Sequence, residues 1–579
     1  MYFTLIRSVL SSMKKFPIGI SDFKELINSE SYYVDKTLLL EEFLVVNTNN
    51  VFLVPRPRRF GKTLNMSMIH CFLDVDHAEE NRPLFETLKV QNSTAWPLQG
   101  KFPVIFLSFK DWKQSTFEKS INSLRLLLQD FLVEKMPYLL TSDKVLKLHR
   151  DYFNSIVEGE IKEEALELCL QRLIIALKAY HGVKPVVLID EYDSPILYAH
   201  EYGYREEMVN FLRGFFSKGL KDNSEYHKAM VTGILRVAKE NIFSGLNNMV
   251  VSTVVDLDFS DKFGLTESEV DQLLSDFKLS EQKKEIDRWY NGYTFGLTKK
   301  IYNPWSIINY LSYPDRGLRS FWANTSKHQL LQELLPRVDR KTSQMLVALM
   351  NRQSIESLIS ADTIFESLER AETQTVLGLL LFSGYLTVEE MPMKDGVSEL
   401  SRIPARLRVP NEEVFTVYEK LLQQFLNSAE EYVQGSDLLE ALLNQDFDSF
   451  SDCLKDYLLN SFSYFDVTNQ RQSEKIYHAF ILGLMAHLTD KYVVKSNPES
   501  GYGRADMIIY PKDPDDKKGW IFEFKRGVTG KESLQERAEE ALQQIENSQY
   551  AAMLQQQGRS KVMKLGIAFD GKKVVCLEG

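Results

Sequence analysis

Three stretches of this chain combine residue types at spacings that can do chemistry. In the first, the apolar run Val51-Phe52-Leu53-Val54 leads into Arg56-Pro57-Arg58-Arg59-Phe60-Gly61-Lys62-Thr63, and a helical pattern follows. A turn that leaves a buried strand and enters a helix aims backbone N–H groups at one spot, and the helix N-terminus adds partial positive charge there. Gly61 supplies the turn. Lys62 can reach the β- and γ-phosphates of a nucleoside triphosphate such as ATP, and the Thr63 hydroxyl can hold Mg2+. Arg58 and Arg59 add positive charge, and no acid occurs between Phe43 and Leu73. The stretch departs from G-x-x-x-x-G-K-[ST] at its first position, where Arg56 stands in place of glycine, so the loop is expected to take another shape.

The second stretch is Val186-Val187-Leu188-Ile189-Asp190-Glu191, an apolar run ending in two carboxylates. At phosphoryl-transfer sites one such acid holds Mg2+ and another orients the attacking water. Asp190 and Glu191 fit these roles, with Asp193 as a reserve ligand. Thr232, in Thr232-Gly233-Ile234-Leu235-Arg236, ends a further apolar run, where it or Arg236 could sense a γ-phosphate.

The third stretch pairs Gly501-Tyr502-Gly503-Arg504-Ala505-Asp506 with Trp520-Ile521-Phe522-Glu523-Phe524-Lys525. Residues two apart on a strand share a face, so Glu523 lies with Lys525 while Phe522 and Phe524 face the core. Asp506, across a hairpin, sits beside Glu523. Two adjacent carboxylates repel unless a divalent cation lies between them, and hard oxygen ligands suit Mg2+ or Mn2+. A lysine beside that cation can orient a water and stabilise charge on phosphate, which is the equipment for phosphodiester hydrolysis. Glu474, on a helix upstream, is a further candidate carboxylate, and His478 lies one turn along.

These residues need elements to hold them. The first half alternates short apolar runs with helical patterns, as an α/β sheet with crossover helices does. Its expected strands are Val51 to Val54, Val104 to Leu107, Val186 to Ile189, Ala229 to Ile234 and Val250 to Val255, with a helix from Lys162 to Ala179 ended by His181-Gly182. Residues 300 to 470 read as mostly helical, with a helix and short strand over Thr375 to Val388 and a loop or boundary near Met391 to Pro404. A new α/β unit follows: helix Ser473 to Thr489, strands at Tyr492 to Lys495, Ala505 to Tyr510 and Gly519 to Phe524, helix Leu534 to Ser548, and strands Val562 to Phe569 and Lys573 to Leu577. The charged stretch from Pro511 to Gly519 reads as a solvated turn. The expected division is 1–300 for the first α/β domain, 301–395 for a lid, 396–470 for a helical connector and 471–579 for the last domain.

Composition narrows the function classes. The 579 residues are 44% hydrophobic and 12% aromatic, ample for a core, which excludes global disorder. Lys plus Arg number 69 against 80 Asp plus Glu, so the net charge is −11 and nucleic-acid contact must come from a local patch. The four cysteines form no CxxC pair, which excludes a zinc ribbon and suits a reducing compartment. No run of 18 apolar residues is present and Met1 to Ser12 lacks a charged n-region, so the expectation is a cytoplasmic protein without a membrane span. Met13-Lys14-Lys15 would itself make a plausible start.

Taken together, the strings above resemble the AAA-ATPase-like proteins fused to a PD-(D/E)XK nuclease domain. The resemblance extends to Phe16-Pro17-Ile18-Gly19-Ile20-Ser21-Asp22-Phe23, Tyr33-Val34-Asp35-Lys36-Thr37, Tyr302-Asn303-Pro304-Trp305-Ser306 and Trp322-Ala323-Asn324-Thr325-Ser326. It implies an AAA-like P-loop core, a helical middle that includes a winged-helix-like lid, and a restriction-endonuclease-like C-terminal fold. It implies Asp506 and Glu523 as metal ligands and Lys525 as the catalytic lysine. Gln544 and Tyr550 resemble the Gln…Tyr helix of nucleases attached to repair helicases, at a different spacing. The arginine-rich loop is the family's own variant.

Three functions compete at this point. One is a Mg2+-dependent nuclease, acting on DNA in preference to RNA, gated by an ATPase module. Another is a nucleotide-regulated switch that docks nucleic acid without cutting. The last is a nuclease whose N-terminal domain is a scaffold. AAA-like modules often assemble, so a homo-oligomer is compatible with each, with Arg213 or Arg236 as candidates to act across an interface.

Overall fold

In a computed structural model of the chain, the described residues are 16–47, 50–235, 242–243, 249–322, 338, 342, 345–346, 348–349, 352–360, 370, 372–390, 402–418, 432–461, 481, 485, 491–496, 498–500, 503–527, 533–570 and 573–579. Compactness divides the chain into two units, Met1–Ser326 with Ser354–Val414, and Lys327–Gln353 with Phe415–Gly579.

The first unit is built on five parallel strands: β1 (Val51–Pro55), β2 (Val104–Ser108), β3 (Val186–Asp190), β4 (Ala229–Gly233) and β5 (Met249–Val251). Their order across the sheet is β2-β3-β4-β1-β5. Strands β1, β3 and β4 are buried at every position, as expected of parallel strands covered on both faces, which is why they read as unbroken apolar runs. Helix α1 (Lys62–Leu73) follows β1, and α2 (Cys169–His181) precedes β3 and ends on Gly182 at φ 75°. The expected single helix from Lys162 is two, Glu163–Leu166 and α2. Strand β5 stops at Val251, short of the expected Val255, because the Ser252 hydroxyl donates to the Asp258 carbonyl and Thr253 donates to Asp256. The core beneath the sheet joins Phe52, Val54, Ile69, Phe72, Leu188 and Met230.

Helix α3 (Pro304–Ser312) starts where Asn303 accepts from the Trp305 and Ser306 amides and Pro304 takes the first turn. Farther along, β6 (Ile355–Ser360), α4 (Thr373–Phe382), β7 (Thr387–Glu390) and β8 (Arg402–Arg408) add a three-stranded antiparallel sheet with β8 in the middle. The middle of the chain is helical but carries this small sheet as well. Pro404 pairs in register with Leu358 on β6, while pairing to β7 begins only at Arg406.

One buried carboxylate ties this region together. Glu413 accepts from the Phe321 amide (2.6 Å), the Trp322 amide (2.8 Å) and the Ser306 hydroxyl (2.7 Å). Burial pushes its carboxyl up to about 7 from an ordinary 4.5. Between those pH values the folded protein holds a proton that the unfolded chain has released, so this group's contribution to stability falls as pH rises through the window. Glu413→Gln keeps an acceptor for both amides and removes the titration. Its stability relative to the parent protein should rise by roughly 3 kcal/mol between pH 4.5 and 8, read from paired melting curves. A pH-independent difference would contradict the assignment.

The second unit holds α5 (Tyr432–Leu443), α6 (Phe447–Ser461) and a five-stranded sheet. Its strands are β9 (Tyr492–Ser496), β10 (Met507–Pro511), β11 (Lys518–Arg526), β12 (Lys561–Asp570) and β13 (Lys573–Glu578), adjacent in chain order. Pairing is antiparallel except between β11 and β12, which run parallel and are joined through α7 (Leu534–Asn547). Ser533 and Glu536 form a capping box at the start of α7. Trp520, Phe522 and Phe524 face a core shared with α5 and α6, while Ile521 packs with Ile545 of α7 on the other side. The parallel sheet of the first unit is consistent with a P-loop fold, and the mixed sheet of the second with a PD-(D/E)XK-like fold. Among the described residues no helix is long and apolar enough to cross a membrane.

Candidate functional site

The register of the first sheet brings three strand ends together. Pro55 pairs with Gly233, and Ile189 pairs with Val231, so Asp190 and Thr232 stand side by side at the carboxyl edge. Ligands of open α/β sheets bind outside that edge. Thr63 donates to Asp190 Oδ2 at 2.7 Å, and Thr232 donates to Asp190 Oδ1 at 2.5 Å. Burial raises the Asp190 carboxyl, and the two hydroxyls act against that rise. Thr232 is fully buried, so its direct partner is Asp190 rather than the cleft.

The loop solves its missing glycine in a definite way. Arg56 N–H donates to the Gly233 carbonyl at 3.0 Å and prolongs the ladder by one residue, so no sharp turn is needed there. Its guanidinium is fully buried and donates to the Ser252 carbonyl (2.6 Å) and the Asp258 carbonyl (3.1 Å). Arg56 therefore buttresses the loop from behind instead of adding charge in front. The turn comes later, with Arg59 at φ 67° and Gly61 at φ 85°. Glycine suits the second of these because a side chain there would be strained. Glu191 is also left-handed, at φ 54°. Two non-glycine residues in that region beside one cleft is the kind of local strain that clusters at functional sites.

Lys62 is buried at the start of α1 and donates to the Arg56 and Pro57 carbonyls at 2.9 Å each. Burial lowers its pKa, opposed by Glu191 and Asp190. A cleft of about 340 Å3 opens in front, where Arg58, Arg59, Gly61, Lys62, Thr63 and Glu191 meet. The Arg59 guanidinium lies 4.2 Å from the centre of the Trp305 ring. Glu191 accepts from the Ser194 hydroxyl at 3.0 Å. Asp193 is not free to act as a reserve ligand: it is buried and accepts from the Ile234 and Leu235 amides at 2.8 Å each. A side chain on Gly233 would meet Asp193 Oδ1 at 2.6 Å, so this packing also requires glycine. Arg213 hydrogen-bonds Asn210 on its own helix, and Arg236 lies outside the described residues.

Sequence reasoning assigned no role to several residues of this cleft. Pro17–Ser21, Lys110, Lys113, Pro304, Trp305 and Ile308 also line it. The strings around Ile18 and Trp305 stood out only as part of a resemblance. The Asn303-Pro304 helix start was the local signal that Trp305 sits on a fixed first turn.

In the second unit, Met507 pairs with Phe522, so Asp506 and Glu523 are neighbours across the β10–β11 ladder. The Phe524 amide donates to Asp506 Oδ2 at 2.8 Å. Glu523 is 2% exposed, and burial, with Asp506 adding to it, pushes its carboxyl up to about 7. Lys525 Nζ lies 3.3 Å from Glu523 Oε1 and donates to Gln544 Oε1 at 2.5 Å, while Gln544 donates to the Tyr550 hydroxyl at 3.3 Å. α7 thus fixes Lys525 through Gln544. Glu523 Oε2 is buried without a hydrogen-bond partner among the described residues. An orphaned carboxylate oxygen beside a second carboxylate fits a hard divalent cation. Among the described residues no group of three His, Cys, Asp or Glu side chains is placed to hold a metal ion. Glu474 and His478 lie outside the described residues.

Comparison with known proteins matches two parts of the chain to described families. Residues 17–243 match the family described as "Predicted AAA-ATPase", and residues 472–579 match the PD-(D/E)XK nuclease superfamily. The chain is also 28% identical over 590 residues to an uncharacterized protein in the vnfD 5' region of Azotobacter chroococcum mcd 1, with 97% of this chain and 98% of that protein covered. The chain is a fusion of an AAA-ATPase-like domain and a PD-(D/E)XK nuclease domain, of the kind found in uncharacterized bacterial proteins.

Proposed function

We propose that this protein is a metal-dependent nuclease that hydrolyses DNA phosphodiester bonds and is gated by binding and hydrolysis of ATP in its N-terminal module. The observation that carries the nuclease reading is the Asp506–Glu523–Lys525 cluster, with a buried orphan oxygen on Glu523 and a lysine held in place from α7. Asp506 and Glu523 would hold Mg2+, or Mn2+, which when bound supplies Lewis-acid polarisation of the phosphate and an acidified water. Lys525 places a positive charge where a phosphate oxygen gains negative charge, and Gln544 keeps it oriented. Gln544→Ala should therefore slow cutting about tenfold without changing DNA affinity, a smaller loss than removing the lysine itself. An unchanged rate would remove Gln544 from the machinery.

In the N-terminal module, Lys62 and Gly61 bind the phosphates, Arg58 and Arg59 add charge, and Glu191 takes a proton from the attacking water. Thr63 and Asp190, already joined, would hold Mg2+, with Thr232 positioning Asp190. Trp305 and Ile18 offer apolar surface for the base.

The two modules belong to one chain, so control of cutting by the nucleotide state can be tested directly. The region from β6 to β8 is our candidate for the winged-helix-like lid. The test is the cutting rate of one DNA at saturating ATP, at saturating ADP and without nucleotide. Gating predicts different rates in the three conditions; equal rates would make the N-terminal module a scaffold.

A further inference from the structure

The turn after β2 carries two lysines whose place is set by buried anchors. Ser108 pairs with Asp190, and the Phe109 amide donates to the Asp190 carbonyl at 2.9 Å, so the chain leaves β2 directly beside the acids of β3. Phe109 and Trp112 are buried. The Trp112 amide donates to the Phe109 carbonyl at 3.1 Å and its indole to the Ser120 carbonyl at 2.7 Å. The Tyr204 hydroxyl donates to the Gln114 carbonyl at 2.5 Å. The turn is thus pinned at both ends. Lys110 and Lys113 are exposed and line the cleft that holds Thr63 and Glu191. Lys113 Nζ lies 5.6 Å from the ring centre of Tyr198, on the helix Ser194–Tyr202 that follows Glu191.

Buried aromatics at 109 and 112 alternate with exposed lysines at 110 and 113, so the fold spends rigid anchoring on presenting two flexible cations to one cleft. The carboxylate among the residues lining that cleft is Glu191, and Arg58, Arg59 and Lys62 line it as well. Phosphoryl-transfer enzymes place a cation on the γ-phosphate from their own chain or from a partner. We infer that Lys110 and Lys113 supply that charge from within the same chain, on the γ-phosphate of a nucleoside triphosphate. This rests on the ATP reading of the cleft. In the reaction, a water oxygen bonds to the γ-phosphorus while the bond from that phosphorus to the β–γ bridging oxygen breaks. The water's proton passes to Glu191, the electron pair leaves on ADP, and inorganic phosphate is formed. Negative charge gathers on the bridging and γ oxygens, where two ammonium groups lower its energy. The protein's share of that charge, beside the Mg2+ that Thr63 and Asp190 would hold, then comes from a single chain.

The test uses the full chain with Lys110→Ala, Lys113→Ala, the double variant, and a double arginine variant as the conservative rescue. Equilibrium titration with ATP and with ADP is the decisive readout, because a merely structural role would weaken both alike. The double alanine variant should bind ATP about a hundredfold more weakly, bind ADP within about threefold of the parent protein, and turn over about a thousandfold more slowly. The arginine variant should recover the ATP preference, and turnover per molecule of the parent protein should stay constant on dilution. Unchanged ATP affinity and turnover in the double alanine variant would overturn the inference while leaving the ATP reading intact, as would parent turnover that climbs with protein concentration. A parent protein that binds neither nucleotide would overturn both.

Discussion

Lys525→Ala should abolish DNA cutting, by about a thousandfold or more in single-turnover assays, while DNA binding survives. The ammonium sits between Glu523 and Gln544, at the edge of a buried carboxylate pair. It is the one cation held directly beside Glu523 by a hydrogen bond among the described residues. Its removal takes away the charge that balances a phosphate oxygen during hydrolysis. Binding depends on many backbone phosphate contacts, so the loss of one lysine costs little affinity. The variant should also fold, because Lys525 lies at the rim of β11 and the core on the opposite face is made by Phe522 and Phe524. Cutting retained by this variant would sink the nuclease assignment.

Lys62→Ala should reduce ATP affinity by more than about a hundredfold, measured by equilibrium titration with a labelled nucleotide. Lys62 is the first residue of α1, where backbone N–H groups and a buried ammonium converge. Its carbonyl partners, Arg56 and Pro57, carry no charge to neutralise it. Thr63→Ala separates the phosphate contact from the metal contact: it removes the hydroxyl bound to Asp190 and should impair turnover more than nucleotide affinity. Unchanged affinity in Lys62→Ala would mean that the loop does not hold phosphate.

The parts of this architecture that were legible in the sequence are those set by local pattern. Buried parallel strands are continuous apolar runs, so β1 to β4 could be placed to within a residue or two. The strands and helix α7 of the C-terminal sheet were legible through local pattern and a hairpin turn. The Glu-x-Lys pair shares a face by the period of a strand alone. What the sequence hid lies in long-range contacts. Arg56 read only as a departure from the loop pattern, because its partners Ser252 and Asp258 stand far along the chain and hold it behind the loop. Thr232 meets Asp190 from a neighbouring strand, and Asp193 is taken up by the amides of Ile234 and Leu235. Strand β8 was hidden by Pro404, which reads as a break unless its partners are known. Lys110 and Lys113 became visible as a pair only when the turn carrying them was seen against Asp190.

The central claim is that Asp506, Glu523 and Lys525 form a metal-dependent nuclease site, and the most direct measurement is cleavage of circular and linear DNA by the purified full chain. It is run with Mg2+, with a chelator, and with and without ATP, beside Glu523→Ala. The account predicts cutting that requires Mg2+, is lost in Glu523→Ala and changes with ATP. A folded protein that binds DNA and leaves both substrates intact in every condition would contradict it, and would favour a nucleotide-regulated DNA-binding switch instead.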